Sequence, residues 1–494
     1  MAVRRMALVL VIALAVALVP GACAPLPPLA VTYRAAVQPP VVLPGDDASA
    51  ASVAASERLL EASDVIFLAS ASRADDLAET AVATGAPLLI AGPGVADELA
   101  RLGATSVVAL AGDDLGTLNG QLERFDLDPA VPPAEQDLPA IEVTQPAPPV
   151  VLLTDSAAAA DVSADATAAA ETVVRAASGT TADLPGGDPR RSSETVATAS
   201  AHAGATVLAL GDSFGATPLL AERFTAAATE VELPGGGQIV FPTRMFVALY
   251  GHPGVPVLGE LGEQDLDWAV TRARERAAQF QALTDRTVVP AFEIIATVAA
   301  GAAGDDGNYS NEVSVETLRP WVERAGEEGM YVVLDLQPGL SSFPEQARLY
   351  EELLVLPHVG LALDPEWRLL PGQRHLEQIG SVDAAEINET LDWLAELTAA
   401  HALPQKVVVL HQFTRRMIRD RAQLDTAHDE LALVLHVDGN GTQAAKLETW
   451  NALLRDLPAG IAMGWKNFID EDHPMLDPAA TMAIEPTPVF VSYQ

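Results

Sequence analysis

Two carboxylates follow an apolar stretch in the C-terminal half of the chain. Residues 359–367 read V-G-L-A-L-D-P-E-W, so Asp364 and Glu366 stand two positions apart at the end of a strand-like run. In an extended strand both would point to one face, about 6–7 Å apart. Such a pair can divide acid–base work, with one carboxyl kept protonated as a general acid and the other ionised as a base or charge stabiliser.

Seven more apolar runs of this kind are separated by helical segments. The eight runs are residues 245–250, 288–293, 331–335, 359–364, 406–411, 431–436, 460–466 and 488–493. Eight strands alternating with helices predict an α/β fold with a (β/α)₈ barrel of the TIM type over residues 240–494. The sequence stops directly after the eighth run, so this barrel is predicted without its last helix.

Polar residues at the strand ends share one parity. If Asp364 faces the barrel interior, every second residue of each strand does so too, and seven strands then end inward in Tyr250, Glu293, Asp335, Asp364, His411, His436 and Lys466. The C-terminal strand ends form the reaction face of this fold. Strand ends also become polar simply by meeting solvent, but that explains poorly a set of acids, imidazoles, an amine and a phenol.

The ending Asp364-Pro365-Glu366 resembles the Asp-x-Glu ending of the fourth strand in several glycoside-hydrolase barrels, including one lysozyme type. The resemblance implies glycan hydrolysis with Glu366 as the acid and Asp364 as the base or stabilising partner. Glu293 and Asp335 are the alternates for these roles. The candidate substrate-binding residues are Tyr250, Trp367, His411, His436, Asp438 and Lys466.

Two other functions fit the same residues. Imidazoles and carboxylates at several strand ends could converge on a metal, as in a metal-dependent hydrolase, but no H-x-H or H-E-x-x-H motif accompanies them. We therefore predict no cofactor and keep the metal as the less favoured hypothesis. A barrel that binds a glycan without cleaving it, as a scaffold or sensor, is the non-enzymatic hypothesis.

The N-terminal third alternates strand and helix patterns. Strands are predicted at 64–69, 87–91 and 106–111, with helices at 74–84 and 96–102, which indicates a parallel sheet in a first unit over residues 59–128. A proline-rich linker, 129–149, precedes a second unit over 150–236, with strands at 150–154 and 206–210 and a helix at 157–177. The stretch 103–113 returns in similar form as 204–212, which indicates an internal repeat.

Several stretches of the first unit resemble the bacterial cell-wall-binding repeat 2 family. They are residues 64–69, the helix containing A-D-D-L-A at 74–78, G-A-P-L-L-I at 85–90 and the ending V-V-A-L-A-G at 107–112. The resemblance implies small α/β units that occur in tandem on surface proteins and attach them to anionic wall polymers. It covers about residues 60–125, and 150–230 only weakly.

The first residues have the features of a lipoprotein signal peptide over 1–23. Arg4 and Arg5 precede an apolar stretch, 6–19, and then Gly21-Ala22-Cys23, where Cys23 is the candidate lipidation site. An ordinary signal cleaved near Ala22 or Ala24 is the alternative. Residues 24–58, rich in proline and alanine, are predicted to be a tether.

The charge and composition of the chain indicate which classes of partner it can bind. A formal charge of −38 and a pI near 4.4 would repel nucleic acid and anionic membrane surfaces. The expected partner is an envelope glycan, and the membrane is contacted only through the lipid. The expected location is the outer face of the cell membrane or the cell wall. Cys23 is the single cysteine, so the mature chain forms no internal disulfide.

Lipidation gives the first testable prediction. If Cys23 carries the lipid, Cys23→Ala will move the protein from the membrane fraction to the soluble fraction, because alanine has no thiol to which the lipid can be attached. Immunoblotting of fractionated cells measures this, with Ala24→Ser as the neighbouring control. Unchanged membrane attachment of the Cys23→Ala variant would contradict lipid anchoring.

Overall fold

The computed structural model describes residues 27–116, 122–131 and 136–494. The predicted signal peptide and Cys23 lie outside these ranges. Within them, no helix combines the length and the apolar composition that crossing a bilayer requires.

Most of the predicted tether is folded. The chain forms β1 (Leu29–Tyr33), β2 (Val41–Leu43), helix α1 (Ala48–Leu59) and β3 (Leu60–Ser63). The prediction of an extended segment over 24–58 is therefore wrong from β1 onward. Proline stands only in the turns between these elements, and small Ala and Ser side chains line the buried face of α1, so the composition that suggested a tether serves close packing instead.

A first parallel sheet contains the strands predicted for the first unit. Its elements are β4 (Val65–Ala69), α2 (Ala74–Thr84), β5 (Leu88–Ile90), α3 (Val95–Leu102), β6 (Ser106–Leu110) and β7 (Glu123–Leu127). The strand order is β5-β4-β6-β7. Next, β8 (Ile141–Gln145) pairs in parallel with β1, whose other edge pairs antiparallel with β3. The segment predicted as a linker thus contributes a strand.

A second parallel sheet follows, with order β10-β9-β11-β2. Its elements are β9 (Val150–Thr154), α4 (Ala164–Ala176), β10 (Thr180–Asp183), α5 (Ser193–Ala201), β11 (Thr206–Leu210) and α6 (Thr217–Ala227). The helix predicted from residue 157 begins only at Ala164, because Asp155 and Ser163 each cap a separate turn and a short 3-10 segment, Ser156–Asp161, lies between them. The edge strand β2 comes from the predicted tether.

The C-terminal half is a closed barrel of eight parallel strands, as predicted. Its elements are β12 (Arg244–Gly251), α7 (Leu266–Gln281), β13 (Thr287–Ala299), β14 (Ser310–Glu312), α8 (Val315–Glu327), β15 (Tyr331–Leu336), α9 (Phe343–Arg348), α10 (Glu351–Leu354), β16 (Val359–Leu363), β17 (Val382–Asp383), α11 (Ala384–Ala400), β18 (Lys406–Gln412), β19 (Ile418–Arg419), β20 (Leu431–Val437), α12 (Gln443–Leu454), β21 (Ala462–Asn467), α13 (Pro478–Met482) and β22 (Phe490–Tyr493). The order β12-β22-β21-β20-β18-β16-β15-β13 closes through β12 and β13.

Outward and inward side chains of the barrel form separate layers. Leucine, isoleucine and valine on the outward faces pack against the helices. The lower interior is closed by aromatic rings, with the ring centroid of Phe246 4.9 Å from that of Tyr331 and 6.2 Å from that of Phe490. The last strand is covered on its outer face by α7, where Phe280 and Arg276 pack on Tyr493.

Ion pairs join the second sheet region to the barrel. Arg190 pairs with Asp188 and with Asp429, which precedes β20, and Arg223 of α6 also pairs with Asp429. The backbone of Gln238 is hydrogen-bonded to that of Gln405 at the start of β18. These contacts attach the N-terminal region to the end of the barrel opposite the predicted reaction face.

Gly360 provides a test of the barrel packing. A methyl group added there would overlap the carbonyl oxygen of Val407 and lie 3.0 Å from the hydroxyl of Tyr331. We expect Gly360→Ala to lower the free energy of unfolding by roughly 1–3 kcal/mol, because backbone strands must shift to admit the methyl group.

Chemical denaturation of both proteins measures this change. Gly301→Ala is the matched control, since an added methyl at Gly301 has no neighbour within 4 Å. Equal unfolding free energies for the Gly360→Ala variant and the wild type would contradict this packing.

Candidate active site in the barrel

A cavity of about 460 Å³ opens at the C-terminal ends of the barrel strands. Its polar lining consists of Tyr250, Gln337, Asp364, Glu366, Asp438, Asn440 and Lys466, and Trp367, Phe413 and Phe468 add aromatic surface. A cavity of similar volume lies between α6 and the barrel and is lined by alanines and by charged residues, among them Arg190, Arg223 and Asp429. These three side chains already pair with one another, whereas the acids and the amine of the barrel cavity lie at the strand ends.

The predicted residues form two levels. Tyr250, Asp364, Glu366, Trp367, Asp438 and Lys466 line the cavity, whereas Glu293, Asp335, His411 and His436 lie beneath it with fully buried side chains. The lower group contacts the upper one through hydrogen bonds. The alternates Glu293 and Asp335 therefore act through their neighbours, since neither side chain reaches the cavity surface.

His411 is the centre of the lower level. Its Nε2 atom lies 3.0 Å from Oε1 of Glu293 and 3.7 Å from Oδ1 of Asp335, and its Nδ1 atom lies 3.0 Å from Oδ2 of Asp438. Burial alone would lower the pKa of His411, but the carboxylates of Glu293 and Asp335 raise it well above its usual value. His411 is thus an imidazolium that donates from both nitrogens.

Two of these partners are ionised. Burial would raise the pKa of Glu293, yet His411, with smaller contributions from His436 and Lys466, lowers it to about 2. Burial likewise opposes ionisation of Asp438, but the hydrogen bond and the charge of His411, together with the charge of Lys466, outweigh it and lower the pKa of Asp438. Oδ1 of Asp438 has no hydrogen-bond partner among the described residues.

Tyr250 and Asp335 form a second hydrogen-bonded pair. The hydroxyl of Tyr250 donates to Oδ2 of Asp335 at 3.0 Å and receives a 3.3 Å hydrogen bond from Gln337. Burial raises the pKa of Tyr250 well above 10, so the phenol stays a donor. Burial also raises the pKa of Asp335 to about 6, against the opposing charge of His411.

Asp364 and Glu366 reach the cavity by a turn and not, as predicted, along one extended strand. β16 ends at Leu363, and Asp364 caps a 3-10 turn by accepting a 3.1 Å hydrogen bond from the backbone nitrogen of Glu366. Burial raises the pKa of Asp364 well above its usual value, in spite of His411. Burial and the charge of Asp438 raise the pKa of Glu366 to about 7.

His436 is a neutral imidazole. Its Nε2 atom lies 3.2 Å from the hydroxyl of Ser492 and its Nδ1 atom 4.0 Å from Oε1 of Glu293. Burial lowers the pKa of His436 to about 3. The ring fits because Gly464 has no side chain; an added methyl would lie 2.8 Å from Cδ2 of His436.

Sequence reasoning missed Gln337 and Ser492. Gln337 stands two positions after Asp335, as Glu366 does after Asp364, and Ser492 has the inward parity of the eighth strand. Extending the parity rule by one step would have identified both. Lys446 was also missed. Its ammonium group donates to the backbone oxygen of Lys466 and pairs with Asp472, so it contacts the backbone that carries the Lys466 side chain.

Two buried groups have the residue types of a metal site. One contains Glu293, His411 and His436, and the other contains Asp364, His411 and Asp438. Both depend on His411, whose two nitrogens each lie 3.0 Å from a carboxylate oxygen, so a metal would have to displace a proton and one of these hydrogen bonds. The metal-dependent hydrolase stays a prediction for these residues. A third group, Asp392, Asp425 and His428, lies at the surface away from the cavity.

No protein-family model matches this chain, and no curated protein matches it in sequence comparison. The candidate site therefore rests on its geometry and charges.

The pKa of Glu366 predicts a pH-dependent stability. The folded chain holds this proton more tightly than the unfolded chain, whose carboxyl has a pKa near 4.5. The stabilisation is therefore complete below that value and is lost as the pH rises through about 7. Above pH 7 the loss is about 2 to 3 kcal/mol, which a neutral amide avoids.

Glu366→Gln should accordingly unfold with a free energy about 2 to 3 kcal/mol higher than the wild type at pH 8, and with nearly the same value at pH 4. Urea denaturation at the two pH values measures the difference. Glu377→Gln, an exposed carboxylate on the same loop, is the control. A difference that does not change with pH would show that Glu366 is not held protonated.

Proposed function

We propose that this chain is an exported cell-envelope protein whose barrel hydrolyses an envelope glycan. The observation that carries the proposal is a pair of carboxyls with opposite protonation on one cavity. The pKa of Glu366 is raised to about 7 by burial, whereas the pKa of Asp438 is lowered by His411. Acid–base cleavage of a glycosidic bond requires two carboxyl groups whose pKa values differ in this way.

Each carboxyl has a defined part in the proposed reaction. Glu366 gives its proton to the glycosidic oxygen as the bond to the anomeric carbon breaks. Asp438, which lines the cavity, acts on the anomeric carbon, either by taking a proton from an attacking water or as the nucleophile itself. The anomeric configuration of the first product distinguishes these two routes.

Asp364 has a different role from the one that the sequence suggested. A base must be ionised, and the pKa of Asp364 is raised well above its usual value by burial. Its Oδ1 atom accepts a hydrogen bond from the backbone of Glu366, which fixes the start of the turn that carries the acid. Asp364 is therefore a positioning residue in this proposal, and Asp438 takes the ionised role.

The remaining lining groups suit a sugar. Tyr250, Gln337 and Asn440 offer hydroxyl and amide groups for hydrogen bonds to sugar hydroxyls, and Trp367 offers an aromatic surface at the rim. The ring of Trp367 lies 5.4 Å from that of His375, which braces it edge-on. A glycan would therefore meet one stacking surface and several polar groups.

The N-terminal region is proposed to hold the protein at the wall. Its two parallel sheets place their own strands in the same order, β5-β4-β6 and β10-β9-β11, which supports an internal repeat. With the stretches that resemble the cell-wall-binding repeat 2 family, this favours attachment to a wall polymer. A signal peptide and a lipid on Cys23 would complete the route to the envelope.

Hydrolysis of isolated bacterial cell walls tests the proposal. Glu366→Gln and Asp438→Asn should each lower the rate roughly 10²- to 10⁴-fold, the range typical of a lost acid or base. The wild-type rate should fall as the pH rises through about 7, because Glu366 must hold its proton. Release of reducing ends measures turnover, and Glu377→Gln is the control.

Each other outcome has a definite meaning. Wild-type turnover by the Glu366→Gln variant would eliminate it as the acid. Loss of turnover on chelation, restored by a divalent metal, would favour the metal hydrolase. Binding to walls with no turnover by the wild type would favour a non-catalytic scaffold or sensor.

A further inference from the structure

The chain uses lysine in a restricted way. Only three of its 29 basic residues, Lys406, Lys446 and Lys466, are lysines, and all three are buried. Lys406 donates to the backbone oxygens of Leu356 and Val359. Lys446 donates to the backbone oxygen of Lys466 and pairs with Asp472. Two of the three buried ammonium groups therefore have oxygen partners within the protein.

Buried arginines follow the same rule. Arg190 pairs with Asp188 and Asp429, Arg244 donates to the backbone oxygens of Ile239 and Gly236, and Arg421 donates to Gln412 and to the backbone of Arg455. Burying a cation without a partner costs several kcal/mol, which accounts for this consistency.

Lys466 is the exception. Its side chain is 3% exposed, yet its ammonium group makes no hydrogen bond or ion pair with any residue in the described ranges. The Nζ atom lies 3.4 Å from the centroid of the Tyr250 ring and 5.3 Å from that of Phe468. One N–H direction is thus occupied by an aromatic face, and the others open into the cavity that Lys466 lines.

The surrounding acids do not satisfy this amine. Asp438 is already bound to the imidazolium of His411, and Glu366 forms no ion pair with the ammonium group of Lys466. A neutral sugar hydroxyl would recover only part of the cost of burying the ammonium group, whereas a carboxylate would form a charge-assisted hydrogen bond. The missing partner is therefore best supplied by an anionic group on the ligand.

We infer that Lys466 binds a carboxylate of the glycan, so that the cavity selects a carboxylate-bearing sugar next to the scissile bond. This inference rests on the proposed function for the identity of the ligand as a glycan. The carboxylate could belong to a uronic acid or to the lactyl group of a muramic acid, and the ligands of the test separate these two sources.

Calorimetric binding tests the inference with the full chain carrying Glu366→Gln, so that no ligand is hydrolysed. The ligands are a glucuronic acid tetramer, the disaccharide of N-acetylglucosamine and N-acetylmuramic acid, and a neutral N-acetylglucosamine tetramer. At least one acidic ligand should bind ten or more times more tightly than the neutral one. Adding Lys466→Gln should abolish that preference and leave the affinity for the neutral ligand within about threefold.

Arg374→Gln is the matched control, because it removes one exposed positive charge from the loop after β16 without altering the cavity lining. Circular dichroism and thermal unfolding verify that each variant is folded. Absence of any acidic preference, including absence of binding by all three ligands, overturns the inference, as does a preference that survives Lys466→Gln. A clear acidic preference without wall hydrolysis by the wild type would refute the proposed catalysis and leave the carboxylate site standing.

Discussion

The ion triad formed by Glu293, His411 and Asp438 is the interaction on which the rest of the site depends. Three ionisable groups that are almost completely buried are stable only if their charges compensate each other and their hydrogen bonds are made. His411 donates to one carboxylate from each nitrogen, so its orientation and charge are fixed together. Removing the imidazolium would leave two buried anions, and both levels of the cavity would have to change protonation.

The charge of this triad sets the state of the other acids. The imidazolium of His411 lies between the two anions Glu293 and Asp438. Among the described residues no cation forms an ion pair with Asp364 or Glu366, and burial raises the pKa of both carboxyls. The raised pKa of the proposed general acid thus follows from its burial and from the nearby charge of Asp438.

Sequence patterns predicted the barrel well because its strands repeat and alternate strictly. Once Asp364 was assigned to the inward face, the alternation of inward and outward side chains along each strand also placed Glu293, His411 and Lys466 on that face, although they lie far apart in the chain. This alternation could not predict a strand pairing between segments distant in the sequence, or the position of a side chain in a turn beyond the end of a strand. The pairing of β2 with β11 depends on a residue separation that no local pattern encodes, and the turn capped by Asp364 depends on tertiary context. The protonation states of the site residues could not be predicted from the sequence either, since they depend on burial and on neighbouring charged groups.

A strongly acidic protein can still have an internal site for an anion, because electrostatic interactions weaken with distance. At physiological ionic strength the Debye length is about 8 Å, so the surface charge of the chain is largely screened from a ligand in solution. Lys466 lies inside the cavity, nearly buried against the ring of Tyr250, and salt screens buried charges less than exposed ones. The net charge of the chain and the proposed anion site at Lys466 therefore act at different distances.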